Sequence, residues 1–169
     1  MRASILIALA LALSACARTI PAELERQIER GVSLKNLQQE LSVHKGQTVL
    51  LGGELIDVKT RGGELTLEVL QRPLDSWNQP ALLDASDGRF LIKLGEEIKL
   101  EKGYREGQPL TVVGEVTGDV ETRAGAETPS PVLVARYLRL WSPADFASRS
   151  RSAYSDPYLY PPVIILRRR

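Results

Sequence analysis

Gly46-Gln47-Thr48-Val49-Leu50-Leu51-Gly52-Gly53-Glu54-Leu55 is answered further along the chain by Gly107-Gln108-Pro109-Leu110-Thr111-Val112-Val113-Gly114-Glu115-Val116. Each copy reads as a turn, an apolar strand, and a glycine seven residues after the first, where the strand has to bend. Bends at such glycines let short strands coil hard enough to close into a small barrel. Gly-Gln is also a common turn pair, so chance repetition competes with this reading.

Working outward, Val49 to Val58 is predicted as one long strand interrupted at Gly52-Gly53, and Arg61-Gly62-Gly63 as the turn that follows. Leu65, Leu67 and Val69 then alternate with Glu64, Thr66 and Glu68, the period of two that marks a half-buried strand. Phe90 and Ile92 belong to a third strand, Leu110 to Val116 to a fourth, and Val132 to Trp141 to a fifth. The expected fold is mainly β: a small five- to six-stranded OB-like β-barrel with short N-terminal helices and an extended C-terminal tail. A β-sandwich or an open meander is the competing arrangement. Gly95 to Gly103 reads as a loop or a single helical turn, and Glu121 to Pro131 as a long, exposed polar connection.

Upstream of the strands, Pro21 suits a first helical turn, followed by Glu23, Leu24, Glu25 and Ile28 before Gly31 stops the helix. Ser33 is a natural N-cap for a second helix carrying Leu34, Leu37 and Leu41 on one face. Both are too short to persist alone, so packing on the body must hold them. The expected organisation is a leader over 1–15, a tether with short helices over 16–46, a barrel over 47–141 and a Pro/Tyr/Arg-rich tail over 142–169.

The leader is read from Met1 to Cys16. Arg2 precedes an apolar run from Ala3 to Leu13, broken only by Ser4, and Leu13-Ser14-Ala15 leads to the sole cysteine. The run suits a signal peptide and is too short to cross a bilayer of roughly 30 Å. Its layout resembles the lipobox of bacterial lipoproteins. That resemblance implies diacylglycerol on the Cys16 thiol, cleavage before Cys16 and acylation of the new amine. Ala17, where aspartate would favour inner-membrane retention, implies the outer membrane. An ordinary signal peptide with a chance cysteine, or a buried N-terminal helix, are the plainer readings. With one cysteine, no disulfide can form within the chain.

Composition narrows the function classes. A formal net charge of +1 among 169 residues gives no strongly basic footprint, and aromatics at 5% leave few stacking platforms, so nucleic acid is not an expected partner. Catalysis needs a nucleophile or a tuned acid–base pair. Cys16 is committed to lipid, and His44, the only histidine, sits in a turn beside Lys45-Gly46 without a recognisable motif. Neither a metal site nor a cofactor is expected beyond the covalent lipid on Cys16. Glu54 and Glu115 hold echoed places and would form a carboxylate pair only if their strands brought them together; a structural role at the bends is the simpler reading.

Two regions remain as contact surfaces. Asp75, Trp77 and Arg89 could line one binding patch, the ring as an apolar anchor and the charges as orienting groups, because aromatic and arginine side chains dominate interface hot spots. Against this, Asp75 in a turn-rich segment is suited to accepting backbone N–H bonds, and Trp77 could cover one end of the barrel. In the tail, Tyr154, Tyr158 and Tyr160 are interleaved with prolines, and Val163 to Leu166 is followed by Arg167, Arg168 and Arg169. That pattern suits an apolar contact plus anionic headgroups, or simply a solvated tail.

Taken together, the lipobox, Gly46-Gln47-x-Val49-x-x-Gly52-Gly53, Arg72-Pro73-Leu74-Asp75-Ser76-Trp77 with Pro80, Gly88-Arg89-Phe90, Tyr104-Arg105 ahead of Leu110 to Gly114, and the last strand ending at Trp141 resemble the Slp family of starvation-inducible outer-membrane lipoproteins of Gram-negative bacteria. The resemblance covers roughly residues 1 to 141. It implies an envelope lipoprotein linked to starvation, stationary phase or acid stress, with no established enzymatic activity. The expected function is therefore a non-enzymatic role at the periplasmic face of the outer membrane. It would maintain the envelope or answer stress by binding a protein, glycan or lipid partner. An OB-like module binding an envelope oligosaccharide or lipid is the alternative. A third reading, an envelope hydrolase, lacks a nucleophile with its base.

Overall fold

The computed structural model describes residues 20–81, 85–95, 98, 100, 103–122 and 128–146. Among the described residues, three short helices, α1 (Ala22–Glu25), α2 (Leu34–Gln39) and α3 (Leu41–His44), precede five strands. These are β1 (Thr48–Arg61), β2 (Glu64–Arg72), β3 (Arg89–Lys93), β4 (Pro109–Glu121) and β5 (Ser130–Leu140). The strands close into a barrel in the order β1-β2-β3-β5-β4. All neighbours are antiparallel except β3 and β5, which run parallel from Leu91↔Val132 to Lys93↔Val134. This is the OB-like barrel expected from the strand pattern, and closure removes the competing sandwich and meander.

The internal echo is a local two-fold relation. β1 and β4 pair antiparallel from Thr48↔Glu115 to Glu54↔Pro109. At one end the Gly46 N–H donates to the Val116 carbonyl (2.8 Å) and the Val116 N–H to Gln47 (2.9 Å). At the other, the Gly107 N–H donates to Leu55 (2.8 Å) and the Leu55 N–H to Gln108 (3.0 Å). The two copies thus serve each other, turn against strand end. Gly53 sits where β1 crosses close over β2: an added Cβ would lie 2.4 Å from the Leu70 carbonyl oxygen and 2.4 Å from Val69 Cγ1.

β1 returns as β2 through Gly62 and Gly63, with φ of 58° and 89°. Two consecutive left-handed residues between Arg61 and Glu64 match the twist of a tight hairpin and favour glycine there. Alternation places Leu67, Val69, Phe90, Ile92, Leu110, Val112, Val116 and Leu133 in the core. Leu34 and Leu37 of α2 are fully buried in that same core. Burying each contributes roughly 1.5–3 kcal/mol, which holds a helix too short to form alone. The first barrel strand starts at Thr48, and α2 upstream of it is held by packing on the body.

The helices differ from expectation in two places. α1 ends at Glu25, and Ile28 leaves it to form a parallel bridge with Thr48, where the Glu29 N–H donates to the Thr48 carbonyl (2.8 Å). An extended segment thereby covers backbone that the start of β1 would otherwise leave unpaired. α2 is capped by Ser33 in a reciprocal box with Asn36, as the sequence suggests, but stops at Gln39. Glu40 (φ −136°, ψ 48°) breaks it, and Leu41 opens α3 while still packing against the core. β4 also outruns its expected end at Val116, reaching Glu121 through an irregular pairing with β5 between Val116 and Val120. Among the described residues no helix is long and apolar enough to cross a membrane.

Candidate functional site

The segment from Pro73 to Ala81 leaves the end of β2 and folds into a compact loop. Asp75 builds it: its Oδ1 accepts the N–H of Trp77 (2.8 Å) and of Gln79 (2.9 Å). The Asp75 N–H donates to the Gln79 carbonyl (2.9 Å), and the Asn78 N–H to the Asp75 carbonyl (3.0 Å). Asn78 takes φ 61°, a left-handed conformation that asparagine tolerates better than most residues. Below, Leu74 bridges Pro80, and the Ala81 N–H donates to Pro73 (2.8 Å). The side chain of Asp75 thus does what its turn-rich setting suggests. Trp77, at the crest, is 66% exposed, so it does not plug an end of the barrel.

The loop is tied to the barrel wall by a relay that sequence reasoning missed. The Trp141 indole N–H donates to Thr111 Oγ1 (2.9 Å), and the Thr111 hydroxyl donates to the Asn78 carbonyl (2.6 Å). Thr111 points out of the barrel yet is fully buried, because the loop covers it. Trp141 is buried too, and the Arg139 guanidinium stacks 3.9 Å from its ring centroid. Past Trp141, Ser142 leads into a helical turn over 143–146. Hydrogen bonds from the Ser142 hydroxyl and N–H, helped by Arg139, hold the Asp145 carboxyl below its ordinary range. Thr111→Val keeps the shape of the side chain but strands the indole N–H and the Asn78 carbonyl. The expected result is a loss of about 2 kcal/mol in urea unfolding, with faster amide exchange at residues 75–79. Unchanged stability and exchange would show that the relay is not what fixes the loop.

Beside the loop runs the N-terminal segment. Ile20, the first described residue, is only 2% exposed. It lines a cleft of about 330 Å³ together with Ile28, Val32, Leu50, Ser76 and Asn78. The two neighbours of Trp77 are therefore cleft residues, and so is the first described residue.

Arg89 begins β3 on the outer face of the sheet. Its guanidinium donates to Glu68 Oε1 (2.6 Å), a carboxylate that Lys59 also approaches (3.5 Å) while bridging Asp57 (3.4 Å). The three residues expected to share a patch are thus sorted into a loop pair, Asp75 and Trp77, and an ion cluster on β1, β2 and β3 that contains Arg89. Only the strand register could have revealed Glu68 as the partner, since it lies 21 positions from Arg89 in sequence.

The remaining candidates are separated. His44 Nδ1 lies 2.8 Å from Gln47 Oε1 at the end of α3. Glu54 and Glu115 are on neighbouring strands, but antiparallel pairing sets Glu54 opposite Pro109 and Glu115 opposite Thr48. At about 3.3 Å per residue they stand roughly 20 Å apart, so no carboxylate pair forms. Glu54 pairs with Arg72 (3.1 Å) and Glu115 with Arg136. Among the described residues no group of His, Cys, Asp and Glu is arranged to hold a metal. Cys16 and the tail residues Tyr154, Tyr158, Tyr160, Arg167, Arg168 and Arg169 lie outside the described residues.

A model of the outer membrane lipoprotein Slp family matches residues 13–165. The chain belongs to the Slp family. The match spans the barrel, the Trp77 loop and the lipobox cysteine, and it continues past Trp141, where the sequence resemblance was expected to end. This Slp-family chain is accordingly an outer-membrane lipoprotein. Among curated relatives, the uncharacterized lipoprotein YeaY of Escherichia coli (strain K12) is 34% identical over 92 residues. That stretch covers 54% of this chain and 46% of YeaY, so the match takes in about half of either protein. Among solved structures, a small single-stranded DNA-binding protein from Streptomyces coelicolor aligns with 60% of this chain and 96% of its own, at 14% identity and a TM-score of 0.40. The barrel assignment rests on the strand order of this chain itself.

Proposed function

We propose that this outer-membrane lipoprotein serves envelope maintenance or stress response without catalysis, by holding its Trp77 loop against another component of the envelope at the periplasmic face. One observation carries the reading: a large aromatic side chain, 66% exposed, stands on a loop whose backbone is bound by its own aspartate and by the Thr111 relay. Exposed tryptophan on a pre-shaped surface is typical of contact sites, because little ordering entropy is lost on binding. The non-catalytic part is supported by where the candidate groups are engaged. The Asp75 carboxylate serves the loop, Glu54, Glu68 and Glu115 serve arginines, and His44 faces Gln47. Lipid on Cys16 supplies attachment, and the loop supplies the contact.

The test is in-cell photo-crosslinking from position 77, with position 158 in the tail as a second probe. A reproducible adduct of one envelope component from position 77 is the expected result. Adducts from position 158 alone would move the contact to the tail, and no reproducible adduct from either would overturn the reading.

A further inference from the structure

We propose that the component met by the Trp77 loop is the membrane itself. The indole enters the headgroup region of the bilayer that holds the lipid on Cys16 and seats the barrel in one orientation. This rests on the loop being a contact surface, and it names what the loop contacts.

Three observations converge. Ile20 is buried in the cleft that it shares with Ser76 and Asn78, so the chain is pinned to the body beside Trp77. Only four residues lead from Cys16 to Ile20, a span of at most about 14 Å even fully extended. An acylated Cys16 therefore keeps the loop within reach of the bilayer, while a tether of this length leaves the barrel free to tilt. Trp77 stands exposed beside the tethered end, placed to fix that tilt.

The chemistry fits. Indole has an apolar body and a polar N–H edge, and tryptophan concentrates at headgroup level for that reason. One such ring gives little affinity alone. With three acyl chains already inserted, its entry becomes an intramolecular step at high effective concentration. The acyl chains thus set the affinity and the indole sets the orientation. Charge plays a small part: Glu23, Glu25 and Glu29 on the adjoining segment outnumber Arg26 and Arg30 by one, so nothing there calls for a strongly anionic lipid.

The test uses full-length lipidated protein in vesicles of phosphatidylethanolamine and phosphatidylglycerol at roughly 3:1, a mixture low in anionic lipid because so little charge steers the contact. Because the Cys16 thiol is acylated in the mature protein, Ser76→Cys or Glu64→Cys each introduces a single free thiol for an environment-sensitive fluorophore. Glu64 lies at the β1–β2 turn, outside the cleft. Headgroup-level nitroxide lipid should quench the position-76 label several-fold more than the position-64 label. Trp77→Ala should bring the two close together while leaving the protein on the vesicles. Equal quenching at the two positions in the wild-type background, or no change with Trp77→Ala, would overturn the proposal. A protein adduct from position 77 together with such a result would leave the contact-surface reading standing and remove only the membrane as its target. Neither quenching nor an adduct would remove both.

Discussion

Replacing Cys16 with serine should abolish palmitate labelling and shift the protein from the outer membrane into a soluble or unprocessed pool. Each buried methylene contributes on the order of 0.8 kcal/mol, so one acyl chain binds only marginally while three together anchor the protein stably. Serine offers no thiol for the diacylglycerol, and without that first chain the lipobox route of cleavage and amine acylation stops. What remains is the apolar run from Ala3 to Leu13, long enough for targeting and too short to span. The barrel lies downstream of this change, so its unfolding transition should be unaltered. Fractionation with labelled palmitate decides the matter: protein that stays membrane-bound and labelled after Cys16→Ser would refute lipidation at this residue.

The second large effect is on folding. Gly53→Val should cost about 3 kcal/mol or more, a large share of the roughly 5–15 kcal/mol that stabilises a domain of this kind. A Cβ at position 53 meets the Leu70 carbonyl oxygen and Val69 Cγ1, each at 2.4 Å. The carbonyl belongs to the backbone of β2, and Gly53 is itself held between Gln71 and Leu110. With a partner on either side in a closed barrel, neither strand can step back. Gly62→Val should cost less, about 1–2 kcal/mol, and for a different reason. Nothing lies within 4 Å of a Cβ there, but φ is 58°. Asparagine separates the two causes. Gly62→Asn should restore most of the stability, since asparagine accepts left-handed backbone, whereas Gly53→Asn should be as damaging as valine. Equal urea midpoints for Gly53→Val and Gly62→Val would refute the close crossing of β1 over β2.

These two predictions come from the part of the protein that was legible in sequence. The Gly46 and Gly107 echo marks two strands that bend alike, and the structure adds that they bend against each other. Alternation in Glu64 to Val69 gives the inward face of β2 correctly, and Ser33 caps α2 as its sequence context suggests. The errors have local causes. Ile28 fits a helical face, but a bridge to Thr48 competes for it. Leu41 fits the face of Leu34 and Leu37, but Glu40 breaks the helix between them.

The candidate site was less legible. Asp75 as a turn builder follows from its neighbours in the chain, because an aspartate bonding two residues ahead is a local event. The partners of Thr111, Arg89 and Ile20 are not local. A period of two says which side chains leave the barrel and nothing about what covers them. Thr111 leaves it and is buried under a loop that starts more than thirty positions earlier in the chain. Sequence by itself determined the strands and their bending glycines and points to Cys16 as the lipid attachment point, since these depend on short-range pattern: strand periodicity, and a cysteine placed after small residues. Closure into a barrel, which excludes a sandwich or meander, is a pairing of distant strands that only the tertiary structure decided. Tertiary structure decided which surface Ile20 packs beside. Burying Ile20 next to Ser76 and Asn78 is a contact between distant segments, settled only when the barrel has closed and its outer face is available to pack against.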